Sequence, residues 1–196
     1  LLSMNLRRDE RLNNLIRLVP IERPVISGIP AMDVVKGGFH PGELTILAGR
    51  CRSGKTSVAI NILRNVALLQ NRRVWHFSFD CARENVLMRL LCIESGVPRS
   101  IIRSRSVDDS NWGSLFDAAN RLSGSPLRVF DTFPMTPVRL RCALERESSG
   151  LRPDLIIVDY LAMMKPSEGR SQKGDSKDSV IQDLKRIADD FKISIL

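Results

Sequence analysis

The fold is decided by a glycine-rich stretch, Gly49-Arg-Cys-Arg-Ser-Gly-Lys-Thr56, in which two glycines enclose four residues and a lysine and a threonine follow. An apolar run at residues 44–48 precedes this stretch, and a helical pattern through Ile60, Leu63 and Ala67 follows it. Strand, glycine-rich loop and helix in this order are typical of a phosphate-binding loop. The glycines let backbone N–H groups converge on a phosphate, and the helix N-terminus adds the positive end of its dipole.

This loop predicts a site for ATP and Mg²⁺. We expect Lys55 to bridge the β- and γ-phosphates and to take part in catalysis, and the Thr56 hydroxyl to ligate Mg²⁺. The residues expected to bind the nucleotide are Gly49, Arg50, Cys51, Arg52, Ser53, Gly54, Lys55, Thr56 and Ser57.

Two further acids each stand at the end of a predicted strand. Asp159 closes the run at 155–158 and is predicted to position the Mg²⁺, as phosphate-binding loops require of an acid on a neighbouring strand. Asp80 closes the run at 76–79, at the strand end where open α/β sheets collect their ligands. Asp80 is therefore a candidate for the general base that polarises the attacking water; the alternative is that it caps the helix beginning near Arg83.

The rest of the chain alternates strand and helix patterns. Strands are predicted at 74–79, 127–130 and 155–158, an apolar alternation at 191–196 indicates another, and helices are predicted at 83–92, 112–122, 138–147 and 180–190. Repeated alternation predicts an α/β fold in three layers, with a mostly parallel sheet flanked by helices. We expect the stretch 27–42 to form turns and Trp75, Trp112 and Tyr160 to pack in the core.

Composition narrows the class of protein. The 196 residues are 43% hydrophobic and 27% charged, which is enough to fold around a core, and the net charge of +8 favours a polyanionic partner. No apolar run reaches the length of a membrane span, so a soluble cytoplasmic protein with no membrane contact is expected. The spacing of the four cysteines favours reduced thiols.

Three stretches together resemble the C-terminal RecA-like motor domain of DnaB-type replicative helicases. They are Gly37-Gly-Phe-His-Pro-Gly-Glu-Leu-Thr-Ile-Leu-Ala-Gly-Arg50, Phe77-Ser-Phe-Asp-Cys-Ala-Arg-Glu-Asn-Val-Leu-Met-Arg-Leu-Leu91 and Leu155-Ile-Ile-Val-Asp-Tyr-Leu-Ala-Met-Met164. In that family the position of Asp80 holds a glutamate that activates water, and the position of Ala162 usually holds glutamine. These departures imply a divergent branch of phage or plasmid type.

The resemblance implies an ATP-dependent DNA helicase that translocates on single-stranded DNA as a homo-hexamer, with primase and helicase loader as further partners. It divides the chain into a linker helix segment at 1–24 and a RecA-like domain at 25–196 that lacks its C-terminal strands. The family's sensor glutamine, DNA-binding loop and arginine finger would then lie beyond Leu196. For Leu12, Leu15 and Ile16 the alternatives are a contact with an adjacent subunit and an intramolecular core.

Other functions stay open at this point. The short stretch Gly28-Ile-Pro-Ala-Met-Asp33 is closer to KaiC-like or RadA-like regulatory or recombination ATPases. A second alternative is a nucleotide-binding scaffold that does not hydrolyse ATP, because an aspartate at residue 80 reaches less far than a glutamate. The polar loop at 166–176 is either a solvated surface loop or a DNA contact.

Overall fold

A computed structural model of the chain describes residues 23–132, 134–166 and 176–196. At its centre lies a sheet of four parallel strands, which in chain order are β1 (Val74–Ser78), β2 (Leu127–Phe130), β3 (Leu155–Asp159) and β4 (Ser194–Ile195). Within the sheet their order is β2-β1-β3-β4. The apolar patterns predict all four.

Helices connect the strands and cover the sheet. They are α1 (Pro30–Lys36), α2 (Lys55–Arg64), α3 (Arg83–Ser95), α4 (Arg99–Arg103), α5 (Asp109–Ser123), α6 (Pro137–Arg146) and α7 (Ser176–Phe191). A π-helical turn at Asn65–Leu69 continues α2. The five longest helices are the predicted ones, with ends shifted by a few residues, whereas the short helices α1 and α4 are not anticipated by the sequence patterns.

The sheet separates two apolar cores. Side chains of α2 and α3 pack on the face that carries Val74 and Leu155, and side chains of α6 and α7 pack on the face that carries Trp75 and Ile156. Neighbouring residues of one strand thus serve opposite cores, because side chains alternate along a strand. The predicted three-layer α/β architecture is confirmed.

The segment before the phosphate-binding stretch differs from the expectation of turns alone. Residues 30–36 form α1, and the Asp33 carboxylate accepts the backbone N–H groups of Ser27 and Gly28 at 2.8 and 2.9 Å. The Asn65 amide donates to the Ser27 carbonyl at 3.0 Å. At Gly28 φ is +72°, and an added Cβ would lie 2.4 Å from the Asn65 Nδ2, so only glycine lets this segment rest on the end of α2.

The prediction of a strand over residues 44–48 is wrong for most of the run. Leu44 forms a single parallel bridge with Ile195, and the Thr45 N–H donates to the Ile195 carbonyl at 2.8 Å. Among the described residues β4 contributes only Ser194–Ile195 to the sheet, so within them the run has no partner with which to continue the ladder. Ile46 is accordingly 56% exposed.

The large aromatic residues divide between core and surface. Trp75 is buried as predicted, whereas Trp112 and Tyr160 are exposed, so the expectation of core packing is wrong for these two. Trp112 lies on the outer side of α5, because Leu115 and Ala118 occupy the inner side.

Two predictions from the sequence concern residues that lie outside the described part of the chain. These are the linker helix with its Leu12, Leu15 and Ile16, and most of the loop at 166–176. In the described part, none of the helices is long and apolar enough to cross a membrane.

His76 is the buried polar residue that the fold satisfies least. It lies in β1 with no exposed surface, and neither ring nitrogen has a hydrogen-bond partner among the described residues. Burial lowers the pKa of His76 to about 4 from its ordinary 6.5. The folded protein therefore holds this imidazole neutral at pH values where the unfolded chain protonates it.

This difference predicts an acid-sensitive fold. Since the folded-state pKa lies below the unfolded one, stability is fully present above pH 6.5 and is lost as the pH falls towards 4. Between pH 7.5 and pH 5, His76 should cost about 2 kcal/mol of unfolding free energy. Urea titrations at both pH values measure the free energy of unfolding. Its loss between pH 7.5 and pH 5 should be about 2 kcal/mol smaller for His76→Leu than for the original protein. Equal losses in the two proteins would contradict the prediction.

Candidate functional site

The glycine-rich stretch forms a loop that leads into α2. Gly54 precedes the helix with φ of +92°, a left-handed conformation that favours glycine. At Gly49 an added Cβ would lie 2.7 Å from the Ser53 Oγ, so a larger residue would require the Ser53 side chain to move. The Ser53 N–H donates to the Arg50 carbonyl at 3.2 Å and closes the turn between them. The two glycines of the motif thus have separate roles. Gly54 allows the left-handed backbone before α2, and Gly49 leaves space for the Ser53 side chain to lie close to the backbone.

The start of α2 is prepared for an anion. No side chain caps this helix, and its first turn contains no acidic residue. The first N–H groups of a helix lack partners within the helix, and the helix dipole places partial positive charge there. Lys55 and Thr56 occupy this first turn, so the backbone and the side chains act at the same place.

Lys55 is held by the loop itself. Its Nζ donates to the carbonyls of Gly49 at 2.9 Å and Arg50 at 2.7 Å. These two bonds place the ammonium group across the mouth of the loop, within the set of N–H donors that the loop and helix provide. A phosphate bound there would compete with the two carbonyls for the ammonium group, and its negative charge favours the exchange.

Asp159 faces the start of α2 from the end of β3. The strand pairs with β1 in a register that puts Asp159 beside Ser78, and the Thr56 hydroxyl donates a hydrogen bond to the Asp159 carboxylate. Burial raises the pKa of Asp159, and the nearby Asp80 carboxylate raises it further. The Thr56 hydrogen bond and the positive charges of Arg89 and Lys55 act in the opposite direction. The resulting hydroxyl and carboxylate pair has the hard oxygen donors that Mg²⁺ prefers.

Asp80 follows β1 and lies in the same pocket as Asp159. The Ser78 Oγ donates to the Cys81 carbonyl at 2.6 Å, and the Phe79 N–H donates to the Asp159 carbonyl at 2.8 Å. These bonds fix the turn that carries Asp80. Asp80 does not cap α3, because the helix is preceded by Ala82 and the carboxylate that accepts the Arg83 N–H, at 3.1 Å, belongs to Asp131. The alternative role of a helix cap is therefore wrong.

A pocket of about 340 Å³ collects most of the predicted residues. Six of them come from the loop and the start of α2, and two come from strand ends. They are Arg52, Ser53, Gly54, Lys55, Thr56, Ser57, Asp80 and Asp159. Gly49, Arg50 and Cys51 do not line this pocket; the first two contribute the carbonyls that hold Lys55, and Cys51 is exposed.

Two lining residues were missed by the sequence reasoning. Cys81 follows Asp80 directly, and Arg89 reaches the pocket from α3. Arg89 stands within the otherwise apolar run Val86-Leu-Met-Arg-Leu-Leu91, and a lone cation in such a run is a signal that could have identified it.

Known proteins resemble this chain in sequence. It is similar to the replicative DNA helicase DnaC of Bacillus subtilis (strain 168), with 31% identity over 179 residues that span 87% of this chain and 39% of the relative. It is also similar to the replicative DNA helicase DnaB of Geobacillus stearothermophilus, with 30% identity over the same shares of the two chains. The chain thus spans about two fifths of the length of these relatives.

Solved structures resemble it in fold. A DnaB-like replicative helicase, described together with its interactions with primase, superposes with a TM-score of 0.83 at 19% identity over 95% of this chain and 46% of that one. A second solved structure, an ATPase domain, superposes with a TM-score of 0.80 at 19% identity over 98% of this chain and 69% of that one. The predicted RecA-like fold is confirmed by these similarities.

A protein-family model matches this chain along nearly all of its described residues. The sequence model of the DnaB-like helicase C terminal domain matches residues 24–196, which include the glycine-rich loop, Asp80 and Asp159. The chain therefore belongs to the family of DnaB-like helicase C-terminal domains.

Proposed function

We propose that this chain is an Mg²⁺-ATP-hydrolysing motor domain that serves a replicative DNA helicase. The observation that carries the proposal is the meeting of Lys55, Thr56 and Asp159 in one pocket, which Asp80 also lines. Phosphoryl transfer needs a cation on the phosphates, oxygen ligands for a metal ion and a group that orients water, and these residues supply all three.

Each residue has a distinct role in this proposal. The loop N–H groups and Lys55 bind the β- and γ-phosphates, and the Thr56 hydroxyl and the Asp159 carboxylate hold the Mg²⁺ and its water shell. Mg²⁺, when bound, neutralises charge on the phosphate oxygens. The Thr56 hydroxyl and the Asp159 carboxylate line the same pocket and interact with each other, so one ion could contact both.

Asp80 is the proposed general base. It is exposed to the pocket, whereas Asp159 is partly buried and bound to Thr56, so the two carboxylates are suited to different tasks. Asp80 takes the proton of the attacking water, and its negative charge disfavours a second charge on the neighbouring Asp159. A bound cation would favour the ionised form of Asp159.

The wider activity is part of the same proposal. Family membership and the names of the relatives support a replicative helicase over a KaiC-like or RadA-like ATPase. The proposal includes translocation on single-stranded DNA by a homo-hexameric ring in the cytoplasm. It also includes a linker helix segment at 1–24 that precedes the ATPase domain at 25–196. The net charge of +8 suits a nucleic-acid partner. The primase interactions described for one structural neighbour support primase as a further partner, with a helicase loader expected beside it.

The phosphate site can be tested at Lys55. Lys55→Ala removes a cation from a surface loop without removing core volume, so the variant should fold normally and bind Mg²⁺-ATP at least about 100-fold more weakly. Isothermal titration calorimetry measures this loss. Lys185→Ala, which removes an exposed lysine of α7 that lies outside the phosphate pocket, is the matched control and should bind as the original protein does. Equal affinity in the Lys55 variant and the original protein would show that the loop does not bind phosphate.

The role of the base can be tested at Asp80. Asp80→Asn keeps the shape of the side chain but removes its basicity, so ATP affinity should change little while turnover falls by about 10²-fold or more. Asp80→Glu, which keeps the carboxylate, should retain turnover. Steady-state phosphate release by the full-length protein is the measurement.

Two results would count against this role. Unchanged turnover in Asp80→Asn would show that another group activates water. Tight ATP binding without any turnover in the original protein would favour the non-hydrolysing scaffold.

A further inference from the structure

The proposed base is held in the pocket through its backbone. Among the described residues, no group forms a hydrogen bond or an ion pair with the Asp80 carboxylate, whereas the Asp159 carboxylate accepts a hydrogen bond from Thr56. Asp80 lies in the connection 79–82 between β1 and α3. Its position therefore depends on how the two ends of this connection are fixed.

The strand end of the connection is fixed by hydrogen bonds to β3 and within the turn. The Phe79 N–H donates to the Asp159 carbonyl at 2.8 Å, and the Ser78 Oγ donates to the Cys81 carbonyl at 2.6 Å. The first bond ties the connection to the end of β3, and the second closes the turn around Asp80. Neither bond reaches the start of α3.

The helix end of the connection is fixed by Asp131. Ala82 precedes α3 and has no side chain that can cap the helix, but the Asp131 carboxylate, 48 residues beyond Arg83, accepts the Arg83 N–H at 3.1 Å. Among the described residues this is the only bond from a side chain to a backbone N–H in the first turn of α3. A carboxylate at this place satisfies a free N–H group and meets the positive end of the helix dipole.

Asp131 is in turn placed by the edge strand β2. It directly follows Phe130, which lies opposite Phe77 in the pairing of β2 with β1. The rings of Phe130 and Phe77 are stacked with their centroids 4.8 Å apart, and Phe77 is buried in the core. The chain that leads into Asp131 is therefore fixed on the sheet, and the Asp131 carboxylate links the end of β2 to the start of α3.

We propose that Asp131 is a positioning residue for ATP hydrolysis, which holds the start of α3 so that Asp80 stays within reach of the attacking water. This inference rests on the proposed function, in which Asp80 is the base. Asp131 does not line the phosphate pocket, so it acts through the backbone of the connection and not on the nucleotide. A base must lie within hydrogen-bond distance of the water, and a displacement of about 1 Å can lower a rate by about 10²-fold.

The role of Asp131 can be tested by steady-state phosphate release from the full-length protein. Asp131→Ala removes the acceptor from an exposed position, so the variant should fold, while its kcat should fall by about 10-fold or more. The KM for ATP should change by less than about twofold, because Lys55, Thr56 and Asp159 keep their places. Asp131→Asn keeps an oxygen that can accept the Arg83 N–H, so it should recover most of the lost turnover.

A matched control removes the same kind of cap from a helix away from the pocket. The Asp108 carboxylate accepts the Asn111 N–H at 2.7 Å at the start of α5, and Asp108 does not line the pocket. Asp108→Ala should therefore leave kcat unchanged. Melting temperatures of the Asp108 and Asp131 variants measure the loss of helix stability separately from the loss of turnover.

A double-mutant cycle shows whether Asp131 acts through Asp80. In Asp80→Asn, which has already lost the base, adding Asp131→Ala should change turnover by less than about twofold. A fall by the same factor with and without the Asp80 carboxylate would overturn the proposal, because Asp131 would then act independently of Asp80. An unchanged kcat in Asp131→Ala, or an Asp131→Asn variant as slow as Asp131→Ala, would overturn it as well.

These outcomes differ from a failure of the proposed function. In each of them the original protein hydrolyses ATP and Asp80→Asn has lost turnover, so only the role of Asp131 is rejected. An original protein that released no phosphate, or an Asp80→Asn variant with full turnover, would contradict the proposed function itself.

Discussion

The hydrogen bond between the Thr56 hydroxyl and the Asp159 carboxylate connects the two halves of the site. Thr56 stands in the first turn of α2, and Asp159 is the last residue of β3. The bond therefore links the start of α2, where the phosphate-binding loop ends, to the end of the sheet. A metal ion bound to both groups would sit where the helix dipole, Lys55 and the strand ends act together.

The parallel sheet makes this contact possible. β1 and β3 are neighbours in register, so their carboxyl ends leave the sheet side by side and bring Asp80 next to Asp159. Burial of the strands on both faces gives the ends little freedom to move. The same burial raises the pKa of Asp159 and leaves His76 without a hydrogen-bond partner among the described residues. Burying polar groups in this way lowers the free energy of unfolding.

Most of the site could be predicted from the sequence because its parts are local. The loop needs glycines at two fixed places, and each acid directly follows an apolar strand, so periodicity and spacing locate them. Arg89 stands out as a lone cation in an apolar run, but the sequence does not show that it lines the pocket, because it reaches the pocket through the packing of α3 on α2. The exposure of Trp112 also depends on which side of α5 meets the core. The run at 44–48 has the composition of a strand, but in the described part of the chain only Leu44 has a bridge partner. Composition alone does not predict this, because a strand needs a partner as well as a pattern.

A crystal structure of the chain with Mg²⁺ and a non-hydrolysable ATP analogue tests the central claim most directly. We expect the β-phosphate among the N–H groups of residues 53–56 and Lys55 Nζ turned from the Gly49 and Arg50 carbonyls to the phosphates. The Mg²⁺ should contact the Thr56 hydroxyl and lie within one water of the Asp159 carboxylate. A nucleotide bound elsewhere, or a metal ion held without Thr56 and Asp159, would contradict the account.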